Sequence, residues 1–267
     1  MGDWFGLRRS RGEQRVAMLG RLAFFDARSE EISVADFAVP GAFPLDWSPD
    51  GQRLLYVSQR TGTPQIHEWQ RDTGAVRVLT RGPDAHPSAG YGPDGRVAYV
   101  SVRVRPQGVS SRIFVTGPAG SAPRPLTRGP SDGAPAWSPD GSLLVFEVNP
   151  HRPDSRIAAI DPEGGEPRLI ARGRRPVFTP DGTWVVYSAP LRRGWRLQRM
   201  RPDGTGKLPV GTGVRDEHAP SVSPDGRFVA YVSDIGEQRQ QLRVRALDGS
   251  GDRPLVSHGD GNAPAWN

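Results

Sequence analysis

Eight acidic and imidazole side chains recur at one kind of position in the chain: Asp84 and His86, Asp132, Asp216, Glu217 and His218, then His258 and Asp260. Each group stands in a connection just ahead of a short segment with strand character. Carboxylates and imidazoles from separate connections, brought to one mouth, could bind a cation or the basic side chains of a peptide. The same residue types also serve solvated turns, so the pattern leaves both readings open. His67 and His151 are isolated and read as packing or surface residues. The chain has no Cys, which excludes disulfides, thiolate zinc ligands and a cysteine nucleophile. Gly204-Thr205-Gly206-Lys207 hints at a phosphate loop, but Arg201 stands where the first Gly is required and Pro209 soon follows. A hairpin is the expected structure there. No catalytic residue, resident metal or cofactor is expected, and an α/β-hydrolase nucleophile elbow is not expected either.

A second group of residues lies near the start. Trp4, Phe5 and Leu7 are followed by Arg8, Arg9, Arg11 and Arg15, an apolar tip beside a basic segment. That pattern suits a tail that docks on a membrane surface or into a partner protein; a disordered leader is the alternative. No apolar stretch follows Arg8-Arg9, so a twin-arginine export signal does not fit. The expected location is the cytoplasm, peripheral to the membrane, or the periplasm if an export signal has been removed. The net charge of +6 comes from 35 Lys+Arg against 29 Asp+Glu and is dispersed. It favours acidic partners or anionic lipid, while no motif supports a nucleic-acid role.

The elements that must position these residues are set by an internal repeat. Ser48-Pro49-Asp50-Gly51, Gly92-Pro93-Asp94-Gly95, Ser138-Pro139-Asp140-Gly141, Thr179-Pro180-Asp181-Gly182 and Ser223-Pro224-Asp225-Gly226 recur at spacings of 44, 46, 41 and 44 residues. Pro fixes φ at the second turn position, Asp bonds its own neighbouring backbone, and Gly takes the left-handed conformation. Each turn follows a short strand and precedes an apolar run such as Leu54-Leu55-Tyr56-Val57 or Phe228-Val229-Ala230-Tyr231. Continuously apolar strands are those sandwiched between neighbouring sheets. An aromatic residue stands just ahead of four of the five turns, at Trp47, Tyr91, Trp137 and Phe178, where it is expected to pack between units. An alternating third strand and an outer fourth strand, for example Val76 to Thr80, complete each unit of four antiparallel strands.

The ends of the chain carry pieces of the same repeat. Ala263-Pro264-Ala265-Trp266-Asn267 copies Ala134-Pro135-Ala136-Trp137-Ser138, and Gly20-Arg21-Leu22-Ala23-Phe24-Phe25 copies the segment from Gly95 to Val100. Ile32-Ser33-Val34-Ala35-Asp36 reads as a third strand. The expectation is therefore an all-β, six-bladed β-propeller of four-stranded antiparallel blades, closed by pairing the C-terminal strand with the N-terminal strands. The repeat spans 19–267 and leaves residues 1–18 as the docking tail.

The strand–aromatic–Ser-Pro-Asp-Gly–strand pattern, with Leu79-Thr80 and Leu126-Thr127 in fourth strands, resembles the TolB-type propeller family. It is related in architecture to WD-repeat propellers but lacks their Gly-His and Trp-Asp signatures. The reading that follows is a non-enzymatic protein-interaction scaffold or accessory subunit of a larger, membrane-associated complex, whose partners are other protein subunits. The resemblance supplies the alternative, a periplasmic envelope or transport protein that binds a partner peptide at the channel mouth. A propeller hydrolase or lyase using the mouth carboxylates and histidines is a third reading.

Overall fold

The structure, a computed structural model, describes residues 42–60, 62–117, 121–150, 152–213, 215–236 and 240–254, and the strand backbones at 6–10, 13–17, 23–25 and 32–34. Near the start, β1 (Gly6–Ser10) pairs antiparallel with β2 (Glu13–Ala17), and β3 (Ala23–Phe25) pairs with β4 (Ile32–Val34). Five four-stranded sheets follow. The first holds β5 (Phe43–Trp47), β6 (Arg53–Ser58), β7 (Gln65–Gln70) and β8 (Val76–Val78). The second holds β9 (Ala89–Tyr91), β10 (Val97–Arg105), β11 (Gly108–Val115) and β12 (Arg124–Pro125). The third holds β13 (Asp132–Trp137), β14 (Leu144–Val148), β15 (Arg156–Ile160) and β16 (Arg168–Arg172). The fourth holds β17 (Arg174–Phe178), β18 (Val185–Pro190), β19 (Trp195–Met200) and β20 (Leu208–Pro209). The fifth holds β21 (Glu217–Val222), β22 (Phe228–Asp234), β23 (Gln240–Ala246) and β24 (Arg253–Pro254).

The fold is thus an all-β propeller with four-stranded antiparallel blades, but among the described residues there are five such blades and not six. The expectation of a sixth rests on apolar similarity at residues 20–36 and on a first strand at 263–267. Among the described residues, 23–25 and 32–34 form a two-stranded pair of three-residue strands. That stretch contains neither a Ser-Pro-Asp-Gly turn nor a Leu-Thr fourth strand to complete a blade. Ala263 to Asn267, including Trp266, lie outside the described residues.

The turns work through one more group than Pro, Asp and Gly. In the third blade Ser138 Oγ accepts from Leu143 N at 2.9 Å and donates to Asp140 Oδ1 at 2.6 Å. Asp140 in turn accepts from Ser142 N at 3.0 Å. Thr179 and Ser223 repeat this with Trp184 N and Phe228 N, and the turn glycines lie at φ between 69° and 81°. Hydrogen bonds from Ser138 and then from Ser142 hold Asp140 down at about 2. The second blade has Gly92 in place of the hydroxyl, and a Cβ there would come within 3.1 Å of the Trp137 ring.

Packing between blades follows the repeat. Trp47, Tyr91 and Trp137 are all buried. Arg53 lies over Tyr91 with 5.5 Å to the ring centroid, and Arg96 over Trp137 with 5.0 Å. Each arginine thereby covers the aromatic of the next blade, a cation–π contact that also shields apolar surface. The threonines of the Leu-Thr pairs serve the backbone. Thr80 Oγ1 accepts from Ile66 N at 2.9 Å, and Thr127 Oγ1 from Ile113 N at 3.0 Å. The segment around Gly204 is the expected hairpin, with Arg201 N donating to Thr205 O at 2.8 Å.

Candidate functional site

The inner strands β9, β13, β17 and β21 begin at one end of the ring, where six of the eight residues singled out above lie: Asp84, His86 and Asp216 in the connections, and Asp132, Glu217 and His218 in the first residues of β13 and β21. Asp84 receives Arg103 Nη2 at 2.8 Å and Ser101 Oγ at 3.3 Å. The bond from Arg103 holds its carboxyl below the ordinary value. His86 is buried, donates from Nδ1 to Gln65 Oε1 at 3.0 Å and meets Tyr99 edge-on. Burial lowers its pKa. Gln65 pins the same connection by donating to Gly82 O at 3.1 Å and Asp84 O at 3.0 Å. Asp132 is buried at the start of β13, and burial raises its pKa against hydrogen bonds from Thr127 and Gly129.

Glu217 is a structural acceptor. Its carboxylate receives Leu197 N at 3.2 Å, Thr212 N at 3.1 Å and Thr212 Oγ1 at 3.3 Å, and lies 3.5 Å from Arg245 Nη2. Gly211 has to be glycine beside it, since a Cβ there would fall inside the Glu217 carboxylate. Asp216 likewise accepts from Trp195 N. His258 and Asp260 lie outside the described residues.

The structure brings Asp216 and His218 together with residues that sequence reasoning missed: Arg174, Arg175, Glu147 and Asp234. His218 Nε2 is 3.8 Å from Asp234 Oδ1 and 3.4 Å from Gln240 Nε2. Burial, and next the charge of Arg174, lower its pKa, so the ring is neutral at pH 7. Arg174 stacks on Trp195 with Cζ 3.9 Å from the ring centroid, and its Nε is buried without a hydrogen-bond partner. Glu147 accepts from Ser155 Oγ at 2.9 Å and from Arg175 N at 3.4 Å. Arg175, Ala134 and Ala219 share a left-handed backbone at φ of 54°, 45° and 52°. Each precedes a proline and marks a bulge in its inner strand. The missed signal was positional: Arg174-Arg175-Pro176 occupies in the fourth blade the place of His218-Ala219-Pro220 in the fifth.

Two arginines thus meet three carboxylates and a neutral imidazole, every carboxylate already accepting hydrogen bonds from the protein. Among the described residues no three His, Cys, Asp or Glu side chains converge as metal ligands. Gly129-Pro130-Ser131-Asp132-Gly133 has the Gly-x-Ser-x-Gly spacing that sequence reasoning did not anticipate. It leads into β13 and not into a helix, with Ser131 bridged to Ser111, so it lacks the strand–turn–helix setting of a nucleophile elbow. On the docking tail, Trp4 and Phe5 lie outside the described residues, while Leu7, Arg8 and Arg9 belong to β1, opposite Val16, Arg15 and Gln14.

Comparison with known proteins fits this geometry. Residues 44–172 and 91–267 match the family described as the TolB beta propeller domain. The chain belongs to that family. It is similar to an uncharacterized protein of Agrobacterium fabrum, 26% identical over 94% of this chain and 89% of that one. It is also similar to the Tol-Pal system protein TolB of Francisella tularensis, 24% identical over 91% of this chain. The match spans 58% of the length of that TolB. A solved TolB-type structure from Agrobacterium tumefaciens superposes with a TM-score of 0.74 at 22% identity, covering 91% of each chain, a likeness of fold.

Proposed function

We propose that this chain is a non-enzymatic, TolB-like propeller of the bacterial envelope that binds a segment of a partner protein at the mouth formed by the inner-strand ends of its third, fourth and fifth blades. The observation that carries the reading is the state of the mouth carboxylates. Asp84, Asp216, Glu217 and Glu147 are occupied by backbone N–H groups, hydroxyls or arginines. General acid–base work needs a group free to exchange a proton with substrate, whereas a rigid set of satisfied charges suits recognition. Arg174 and Arg175 are the cations this mouth offers to a partner, and the relatives named for the Tol-Pal system support an envelope setting.

The test is cross-linking of the tagged full chain in cells of its source, followed by separation of envelope from cytoplasm. The reading expects a defined protein adduct in the envelope fraction that falls at least about tenfold with Arg174→Glu/Arg175→Glu. An adduct of equal strength in the variant overturns the site. Recovery in the cytoplasm with no envelope adduct overturns the function.

A further inference from the structure

The second blade differs from the other four in the reach of its central hairpin. β10 and β11 remain paired out to Arg105 and Gly108, beyond the point where both flanks of the blade have ended. On the β10 flank Val100 N donates to Ser88 O at 2.9 Å, and Ala85 exchanges both backbone hydrogen bonds with Val102, at 2.9 and 2.7 Å. On the β11 flank the last outward bond is Ser111 N to Pro130 O at 2.8 Å. In an antiparallel ladder alternate residues point their N–H and C=O groups the same way. The next outward rungs are therefore Val104 on one flank and Val109 on the other, and among the described residues nothing continues the ladder at either.

These two valines sit directly opposite each other and are the most exposed large apolar side chains described, at 76% and 67%. Alternation places Arg103 and Arg105 on the other face of β10. Arg103 is committed to Asp84. Arg105 is exposed and has no carboxylate partner among the described residues. The chain itself displays one way of covering such an edge: Ala85 bonds the Val102 backbone while the neighbouring Asp84 carboxylate takes Arg103.

We propose that the outer edge of β10 at Val104 is a docking site for an extended acidic segment of a partner protein, which adds as a strand and sets a carboxylate against Arg105. The segment repeats, two residues further out, what Asp84-Ala85 does within the chain. Its backbone hydrogen bonds supply affinity, an apolar residue covers the Val104 and Val109 face, and the charge supplies selectivity. A bilayer fits the arm less well, because a single myristoyl chain already gives only marginal binding and this arm offers two valines and one uncommitted cation. The site lies on the second blade beside Asp84, apart from the Arg174 and His218 cluster of the fourth and fifth blades, and stands whether or not that cluster binds a partner.

The test uses the full chain and a fluorescent peptide of about ten residues alternating glutamate with valine, with a lysine–valine peptide and phosphatidylglycerol vesicles as comparison probes. Saturable binding of the glutamate peptide is expected, weakened about tenfold or more by Arg105→Glu and by Val104→Pro, which removes the edge N–H. Hydrogen exchange at the Val104 amide is expected to slow when that peptide is added. Equal binding of the lysine peptide, undiminished binding by Arg105→Glu, or unchanged exchange at Val104 would each overturn the proposal. So would binding to vesicles, or pairing between copies of the chain, in place of peptide binding.

Discussion

Glu217 carries the sharpest stability prediction. It and Arg245 are both about 2% exposed in their side chains, and their charged ends are 3.5 Å apart. Replacing Glu217 by Gln keeps the shape and one carbonyl oxygen for Leu197 N, but removes the charge and turns an amide donor into a site crowded with donors. Breaking a buried ion pair from one side costs about 3–5 kcal/mol. Arg245 keeps Asp252 Oδ2 at 3.1 Å and the Tyr231 hydroxyl at 3.1 Å, which brings the expected loss to about 2–3 kcal/mol. For a domain of this size that lowers Tm by roughly 5–10 °C. Urea unfolding followed by circular dichroism reads the change as a lower midpoint at unchanged slope. Combining Glu217→Gln with Arg245→Met, which removes the orphaned charge, is expected to recover part of the loss, since contacting residues do not add independently. A single-variant loss below about 0.5 kcal/mol, or a double variant no better than the single, would show that Glu217 does not serve this structural role.

Gly92→Ser would make the second turn match the other hydroxyl turns, yet it is expected to destabilise by about 1–3 kcal/mol, because its Cβ enters the space of Trp137 and Asp94; a gain in melting temperature would refute the packing account. Thr127→Val is expected to cost about 1–3 kcal/mol by leaving the buried Ile113 N–H without its acceptor, measured by the same unfolding curves. His67, His86 and His218 all have pKa values lowered chiefly by burial. Below an unfolded value of about 6.5 the unfolded chain binds more protons than the folded one, so their contribution, full above that pH, is lost as pH falls toward the folded values. Stability should decline on going from pH 7 to about pH 5, and His86→Phe should flatten part of that slope; a flat wild-type profile contradicts it.

The sequence reached the blades because their signals are local. A Ser-Pro-Asp-Gly turn specifies its own geometry within a few residues, and an apolar run after it specifies a strand covered on both faces. Five such turns correspond to the five four-stranded blades observed. The sixth blade failed on the same logic: residues 20–36 had apolar character but no turn of this kind, and similarity of a strand is weaker information than a turn. The chemistry of the mouth was legible as composition only. Asp84, Asp132, Asp216, Glu217 and His218 were visible as acids and imidazoles, but whether each is free or occupied depends on groups far along the chain.

Residue type and spacing by themselves determined that this chain repeats a four-stranded antiparallel unit, since turn geometry and strand patterning need no distant partner. Tertiary structure alone decided that Glu217 is held by Leu197, Thr212 and Arg245, that Arg174 on Trp195 belongs to the same mouth as His218, and that the β10–β11 arm outruns its neighbours. Those facts depend on which blade lies beside which and where a ladder runs out of partners. Packing sets both, and no local segment encodes them.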